Sequence, residues 1–202
     1  MLDLYTAATA NGLRASVVLA ESGLEHRVHK LDPDLDTKMP DFLALNPSGQ
    51  VPVLVDPDGP GGERLIVAQS GAIALYVAEK IGKFIPTDKR RRAAAQQWFM
   101  LVTTDVSAAN TTLFLLENEA PERSSAIVEF FKTRLLRFYA IIDDRLSGRE
   151  YLADEISIAD LVLYPNYFRR KAWLDEAEHL TNLHRWGAKM ASRSGVAKGM
   201  NL

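Results

Sequence analysis

The sequence predicts an α/β unit in the order βαβ–α–ββα over residues 1–82, followed by an all-α unit over residues 83–202. Two observations set that division. Every short β-type run lies before residue 69, separated from the next by turn signals or by apolar residues at helical spacing. After Gly82 the apolar residues recur only at helical spacing, as in the stripe Trp98, Leu101, Val102, Ala109, Leu113 and Leu116.

The elements follow in order. Leu2 to Tyr5 suits a buried strand, and Thr6 to Gly12 reads as a turn-like segment. Leu13, Val17 and Val18 mark a helix that Gly23 ends at the left-handed C′ position. His26 to Leu31 reads as a second strand, Asp32 to Lys38 as a polar loop, and Phe42 and Leu45 as part of a short helix. That helix stops at the turn signal Asn46-Pro47-Ser48-Gly49. Val51 to Asp56 and Leu65 to Ala68 form a hairpin around Pro57-Asp58-Gly59-Pro60-Gly61-Gly62. Ile73, Val77 and Ile81 then share one face of a helix over 70–81. In the second unit, the basic run Lys89 to Arg92 reads as the solvated start of a long helix. Ile127, Phe131, Leu135, Phe138 and Ile142 mark another helix. Further helices are expected over Ile158 to Phe168, bent or shortened by Pro165, and from about Ala177 to Ala191.

Composition narrows the chemistry. The net charge of −2 gives no electrostatic reason to expect nucleic acid or an anionic membrane as partner. No unbroken apolar run approaches the roughly 20 residues of a membrane span, and the first residues lack the basic and apolar regions of a signal peptide, so the expected compartment is the cytoplasm. The absence of cysteine removes disulfides, thiolate-bound metals and any protein thiol nucleophile. His26 and His29 point to opposite faces of a strand, and His179 and His184 are poorly spaced for one helix face, so no metal is expected.

Three motifs carry a resemblance that covers nearly the whole chain. Asn46-Pro47-Ser48-Gly49-Gln50-Val51-Pro52-Val53-Leu54 is similar to the turn that leads into a cis-proline in the glutathione transferase superfamily. Gln69-Ser70-Gly71-Ala72-Ile73 resembles that family's acid-or-Gln-plus-Ser start of a helix. Ser157-Ile158-Ala159-Asp160 reads as a capping box, flanked by Ile156 and Leu161 as a hydrophobic staple, and resembles the family's buried helix signature. Its spacing explains it as a folding feature. The resemblance implies a thioredoxin-like first domain, a helical second domain and a homodimer. It also implies glutathione as co-substrate, with its backbone held by Gln50, Val51 and Pro52 and its γ-glutamyl end by Gln69 and Ser70. An unaided X-Pro bond is cis only about 5–6% of the time, so the cis state of Val51-Pro52 is an expectation of the resemblance alone.

A glutathione transferase raises the thiolate population of the bound tripeptide, and a hydrogen-bond donor aimed at the sulfur favours that anion. The pattern Asp-Leu-Tyr-x-Ala-x-Thr-x-Asn-Gly is most similar to the bacterial nu class, which implies Thr9 and Asn11 as donors. Ala8 and Ala10 stand where prolines are usual in that loop, and Tyr5 is the alternative donor. Lys38 is a candidate partner for the glycyl carboxylate. Gln69 stands where many relatives carry Glu, so the ligand's ammonium lacks a counter-charge there. Asp105 is the candidate to supply one across a dimer. The implied reactions are conjugation to a small electrophile and glutathione-dependent reduction of a disulfide, with Tyr164 and Phe168 as candidates for the second-substrate pocket. A non-catalytic docking module of the same fold is the competing reading.

Overall fold

The computed structural model describes residues 1–177 and 179–202, and the chain forms two units. The first comprises Met1–Ile85 together with Ala191–Leu202, and the second Pro86–Met190.

The first unit is built on β1 (Leu2–Thr6), α1 (Ala10–Ser22), β2 (His26–Lys30), α2 (Pro40–Leu45), β3 (Val53–Asp56), β4 (Leu65–Ala68) and α3 (Ser70–Ile81). The order is the expected βαβ–α–ββα, a thioredoxin-like arrangement. The sheet order is β2-β1-β3-β4, with β1 parallel to β2 and antiparallel to β3, and β3 antiparallel to β4. Along β1, Leu2, Leu4 and Thr6 are buried, whereas Asp3 and Tyr5 alternate onto a half-exposed face. The core gathers Leu4, Val17, Val18, Leu19, Val53, Leu54, Ile73 and Val77, all fully buried. Gly23 and Gly82 end α1 and α3 in the left-handed conformation, at φ of 72° and 65°.

The end of the chain completes this unit. The last helix, α9 (Ser194–Met200), packs against α1. A Cβ added at Gly199 would sit 2.5 Å from Val17 Cα, so only glycine allows this approach. Glu21 accepts from Arg193 Nε at 3.0 Å, Arg193 Nη2 at 2.6 Å and Val196 N at 3.1 Å, which fixes the start of α9.

The second unit is helical: α4 (Lys89–Met100), a π-helical turn (Leu101–Val106), α5 (Ser107–Asn118), α6 (Ser125–Arg145), α7 (Ile158–Leu174) and α8 (Thr181–Ala191). Asp88 caps α4, accepting from Arg91 N at 2.9 Å, and Lys89, Arg90 and Arg91 are exposed as expected of a solvated start. The run 89–118 is continuous, and by length and composition it could cross a membrane although it holds no unbroken apolar stretch of that length. Within the unit it packs against α6 and α7.

Three expectations are corrected here. Pro165 neither ends nor shortens α7, which runs unbroken from Ile158 to Leu174; residues 158–167 are all buried, and packing on every side holds the helix through the missing N–H. The helix expected from about Ala177 begins at Thr181. Ile127, placed on the apolar stripe of α6, is 48% exposed, and the buried face starts at Leu135. The capping box is present: Ser157 Oγ accepts from Ala159 N at 3.3 Å, and Asp160 Oδ2 accepts from Ser157 N at 3.0 Å. Asp160 also accepts from Trp186 Nε1 and Leu152 N, both at 3.0 Å, so it joins α7 to α8 and to the preceding loop.

Candidate active site

Strand register gathers the candidate residues at one end of the first unit's sheet. Tyr5 pairs with Val53 and Val53 with Ala68, while Thr6 pairs with Lys30. The last residues of β1, β2 and β4 and the first of β3 therefore lie in one row. The segments that leave this row hold Thr9 and Asn11 after β1, Lys38 after β2, Gln50 to Pro52 before β3, and Gln69 and Ser70 after β4. One sheet end thus presents eight of the nine candidates. Asp105 belongs to the second unit.

Thr9 is the N-cap of α1, with extended backbone at φ −92° and ψ 162°. Its Oγ1 accepts from Gly12 N at 3.1 Å. The hydroxyl's own proton is given to no acceptor among the described residues, so it remains a donor at the positive end of a 13-residue helix. Asn11 sits half-buried in the first turn, and its amide enters no hydrogen bond among the described residues. Gly12 is required at the third helical position. A Cβ there would fall 2.1 Å from Ala7 O and 2.5 Å from Thr6 Oγ1, so the helix start presses directly on the loop. Arg14 is a feature that sequence reading missed. It is 5% exposed on the next turn, and burial pulls its guanidinium down to about 10, which still leaves a cation near the helix start. A basic residue within an apolar helical stripe was the available signal.

Tyr5 is placed differently. Its ring stacks on His29 with centroids 4.4 Å apart and planes 9° from parallel, and His29 Nε2 lies 2.7 Å from Asp3 Oδ1. Its ring is committed to the half-exposed face of the sheet.

The segment before β3 is organised by Asn46, which is 6% exposed. Asn46 Nδ2 donates to Gln50 O at 2.7 Å, and its Oδ1 accepts from Ser48 N at 3.2 Å and Ser48 Oγ at 2.9 Å. Gly49 takes φ 61°, a conformation suited to glycine. The Val51-Pro52 bond is cis. The N–H and C=O of Val51 enter no hydrogen bond among the described residues, so a strand-like pair of backbone groups is open just before β3.

At the start of α3, Gln69 holds φ 73° and ψ 120°, an uncommon region for a residue with a side chain. Such a conformation costs on the order of 1–3 kcal/mol and is kept only where the surroundings impose it. Gln69 O accepts from Ile73 N at 2.9 Å, while no side chain among the described residues caps the first N–H groups of the helix. Ser70 is buried, and its hydroxyl makes no hydrogen bond among the described residues. Free N–H groups at a helix start of this kind attract anions such as a carboxylate. Lys38 is exposed at the end of a short 3₁₀ turn, Asp36–Lys38, with no ion pair among the described residues.

In the second unit, Asp105 lies half-buried within the π-helical turn, its Oδ2 2.8 Å from Thr104 Oγ1. Tyr164 is 5% exposed and touches the rings of Tyr167, Phe168 and Trp186, whereas Phe168 is 50% exposed. Among the described residues, no group of three or more His, Asp or Glu could hold a metal ion.

Comparison with known proteins agrees with this architecture. Residues 10–80 match the family model for the glutathione S-transferase N-terminal domain. The disulfide-bond oxidoreductase YfcG of Escherichia coli is 33% identical over 168 residues, an alignment that spans 82% of this chain and 78% of that protein. A Pseudomonas putida glutathione transferase, crystallised with one glutathione disulfide bound per subunit, superposes with a TM-score of 0.92 at 29% identity. The match covers 100% of this chain and 91% of the other. A Burkholderia graminis glutathione transferase, with two glutathione molecules bound per subunit, gives a TM-score of 0.89 at 32% identity, covering 99% and 87%.

Proposed function

Because the chain belongs to the glutathione transferase superfamily, we propose that it binds glutathione at the open end of its first sheet and uses the bound thiolate to reduce small disulfides. The observation that carries this reading is Thr9: its oxygen is engaged by Gly12 N at 3.1 Å, its proton is unclaimed among the described residues, and it stands at a helix N-terminus. A donor held in that way lowers the pKa of a facing thiol, whose ordinary value is near 8.5. Asn11 supplies a second donor and Arg14 a buried cation. Val51 pairs through its backbone with the tripeptide, while Gln50 and cis-Pro52 shape that contact. Gln69, Ser70 and the start of α3 receive the γ-glutamyl carboxylate, and Lys38 the glycyl carboxylate.

The chain has no cysteine, so thiol–disulfide exchange runs on glutathione alone. Bound glutathione loses its proton to water, and the thiolate attacks one sulfur of the disulfide. The S–S bond breaks, and the departing thiolate takes a proton from water. A second glutathione thiolate then attacks the glutathione sulfur of the mixed disulfide and expels the other thiol. Two glutathiones become one glutathione disulfide, and one disulfide becomes two thiols. The relative with two bound glutathiones and the one with glutathione disulfide support room for both reductants. The likeness to a disulfide-bond oxidoreductase of Escherichia coli supports the same reaction class.

Conjugation is the second reading, favoured because the same thiolate also attacks an electrophilic carbon and forms an S–C bond as the leaving group departs. The protein acts as a homodimer, in which Asp105 of one subunit faces the ammonium of the glutathione held by its partner. Rates with 2-hydroxyethyl disulfide and with an aryl halide, each with and without glutathione, test the proposal. Disulfide reduction should dominate. Glutathione-independent turnover, or none with either substrate by a protein that binds glutathione, would overturn it.

A further inference from the structure

Asn11 and Gly12 form an Asn-Gly pair, and of the seven asparagines in the chain only Asn11 is followed by glycine. In such a pair the backbone nitrogen of the second residue can attack the side-chain carbonyl of the first, because glycine sets no Cβ in the way. Among the described residues, the side-chain amides of Asn46, Asn110, Asn118, Asn166 and Asn182 each donate to a carbonyl or a carboxylate. The amide of Asn11 enters no hydrogen bond there, and the residue sits half-buried at the second position of α1.

The attacking nitrogen is held by one contact. Gly12 lies in the first turn of α1, where a backbone N–H has no carbonyl four residues back within the helix. Gly12 N donates instead to Thr9 Oγ1 at 3.1 Å. No bulkier residue at 12 could shield the pair, since a Cβ there would fall 2.1 Å from Ala7 O and 2.5 Å from Thr6 Oγ1. Packing therefore demands the residue that makes Asn11 labile. The turn also lacks a backbone restraint. Ala10 holds the first helical position, where proline would fix φ, and Thr9 at φ −92° and ψ 162° already has the extended backbone that precedes proline.

We propose that Asn11 is a spontaneous deamidation site whose rate is set by the Thr9 cap on Gly12 N. When the first turn opens, Gly12 N loses its hydrogen bond, gives its proton to base and attacks Asn11 Cγ. The new N–C bond closes a succinimide, and the bond from Cγ to the amide nitrogen breaks to release ammonia. Water then opens the ring at either carbonyl, which leaves aspartate or isoaspartate at position 11. A negative charge in the first turn suits the helix dipole, so the aspartate product stays folded. It has lost the amide donor, and its charge raises the pKa of a thiol that faces it. That effect on the thiol rests on the reading of Asn11 as a donor to the glutathione sulfur, whereas the deamidation does not.

The test is peptide mass spectrometry after the full-length protein has been incubated in mildly alkaline buffer, beside a free peptide of the same sequence around Asn11. Conversion at Asn11 should outpace that at every other asparagine and run well below the free-peptide rate. Thr9→Ala should speed it roughly fivefold, the factor by which a lost N-cap shifts an opening equilibrium. Thr9→Ser keeps the cap and should match the parent. Ala10→Pro should slow conversion about threefold by stiffening the turn. Faster conversion at another asparagine, a parent that converts at the free-peptide rate, or a parental rate in Thr9→Ala would overturn the proposal. A parental rate in Ala10→Pro would overturn it as well, and that arm stands even if Thr9→Ala fails to fold. Thiolate absorbance of glutathione bound to Asn11→Asp reads the consequence separately: a parental thiol pKa there would refute Asn11 as the donor, whatever the deamidation rates.

Discussion

Replacing Thr9 with alanine removes two things at once, and the structure allows them to be separated. The side-chain oxygen caps α1 through Gly12 N at 3.1 Å, and the hydroxyl proton is the proposed donor to the glutathione sulfur. Loss of the cap costs about 1 kcal/mol of stability, which for a domain of this size lowers Tm by roughly 2–4 °C. Loss of a hydrogen bond to a thiolate costs about 1.5 kcal/mol, so the pKa of the bound thiol rises by about one unit. Below that pKa the thiolate population and the rate fall about tenfold, and the deficit closes as pH rises past the new pKa. Thr9→Ser keeps both roles and should match the parent. Thr9→Asp keeps the cap, since aspartate is as good an N-cap as serine, but it loses the donor and sets a negative charge beside the sulfur. It should melt like the parent yet raise the thiol pKa at least as far as Thr9→Ala. Thiolate absorbance against pH, with melting curves and steady-state rates, reads all of this. A parental thiol pKa in Thr9→Asp, with Tyr5→Phe raising it instead, would refute the assignment of the donor.

Other consequences follow from the same geometry. Gln69→Gly relieves the positive φ and should raise Tm by a few degrees, while glutathione affinity falls through loss of the amide; an unchanged Tm would mean that the conformation at φ 73° carries no strain. Gly199→Ala forces a methyl to within 2.5 Å of Val17 Cα and should cost roughly 1–3 kcal/mol in chemical denaturation, whereas full stability would show that α9 does not pack on α1 as described. Burial pushes the Asp56 carboxyl up, but hydrogen bonds from Lys80 and Tyr76 and the charge of Lys80 leave it below its ordinary value. Its contribution is then present above the unfolded pKa of about 4 and is lost as pH falls through the lower folded value, so Asp56→Asn should flatten the acid limb of stability against pH. Light scattering at micromolar concentration should give twice the 22.5 kDa chain mass, and a monomer would remove the proposed role of Asp105 across subunits.

Periodicity made the regular elements legible. Ile73 and Val77 on α3, Gly23 at the end of α1, and the Ser157 to Asp160 capping box each follow from local rules, and the structure shows each of them. The candidate residues at the sheet end were legible through motif resemblance, because their common position depends on strand register, which no local pattern fixes. The π-helical turn was not legible. The polar residues Thr103, Thr104 and Ser107 read as ordinary helix positions, and Asn166, whose Nδ2 donates to Ser107 Oγ, is 59 residues from Ser107 in sequence. Likewise α9 is only seven residues long, and its docking relies on Gly195, Gly199 and Glu21, whose separation hides the contact. Ala177 and Leu180 mimic the helical spacing of the residues after them, whereas the helix begins at Thr181.

Melting of the full-length protein with reduced glutathione bears most directly on the proposal that this sheet end is a glutathione site. The open pair of backbone groups at Val51, the uncapped start of α3 and the unclaimed Thr9 proton together predict binding. At a hundredfold excess over Kd, mass action stabilises the folded state by about 2.7 kcal/mol, a rise of roughly 5–10 °C in Tm. That rise should be absent with the constituent amino acids at the same concentration. A well-folded protein whose Tm does not move at millimolar glutathione would contradict the account.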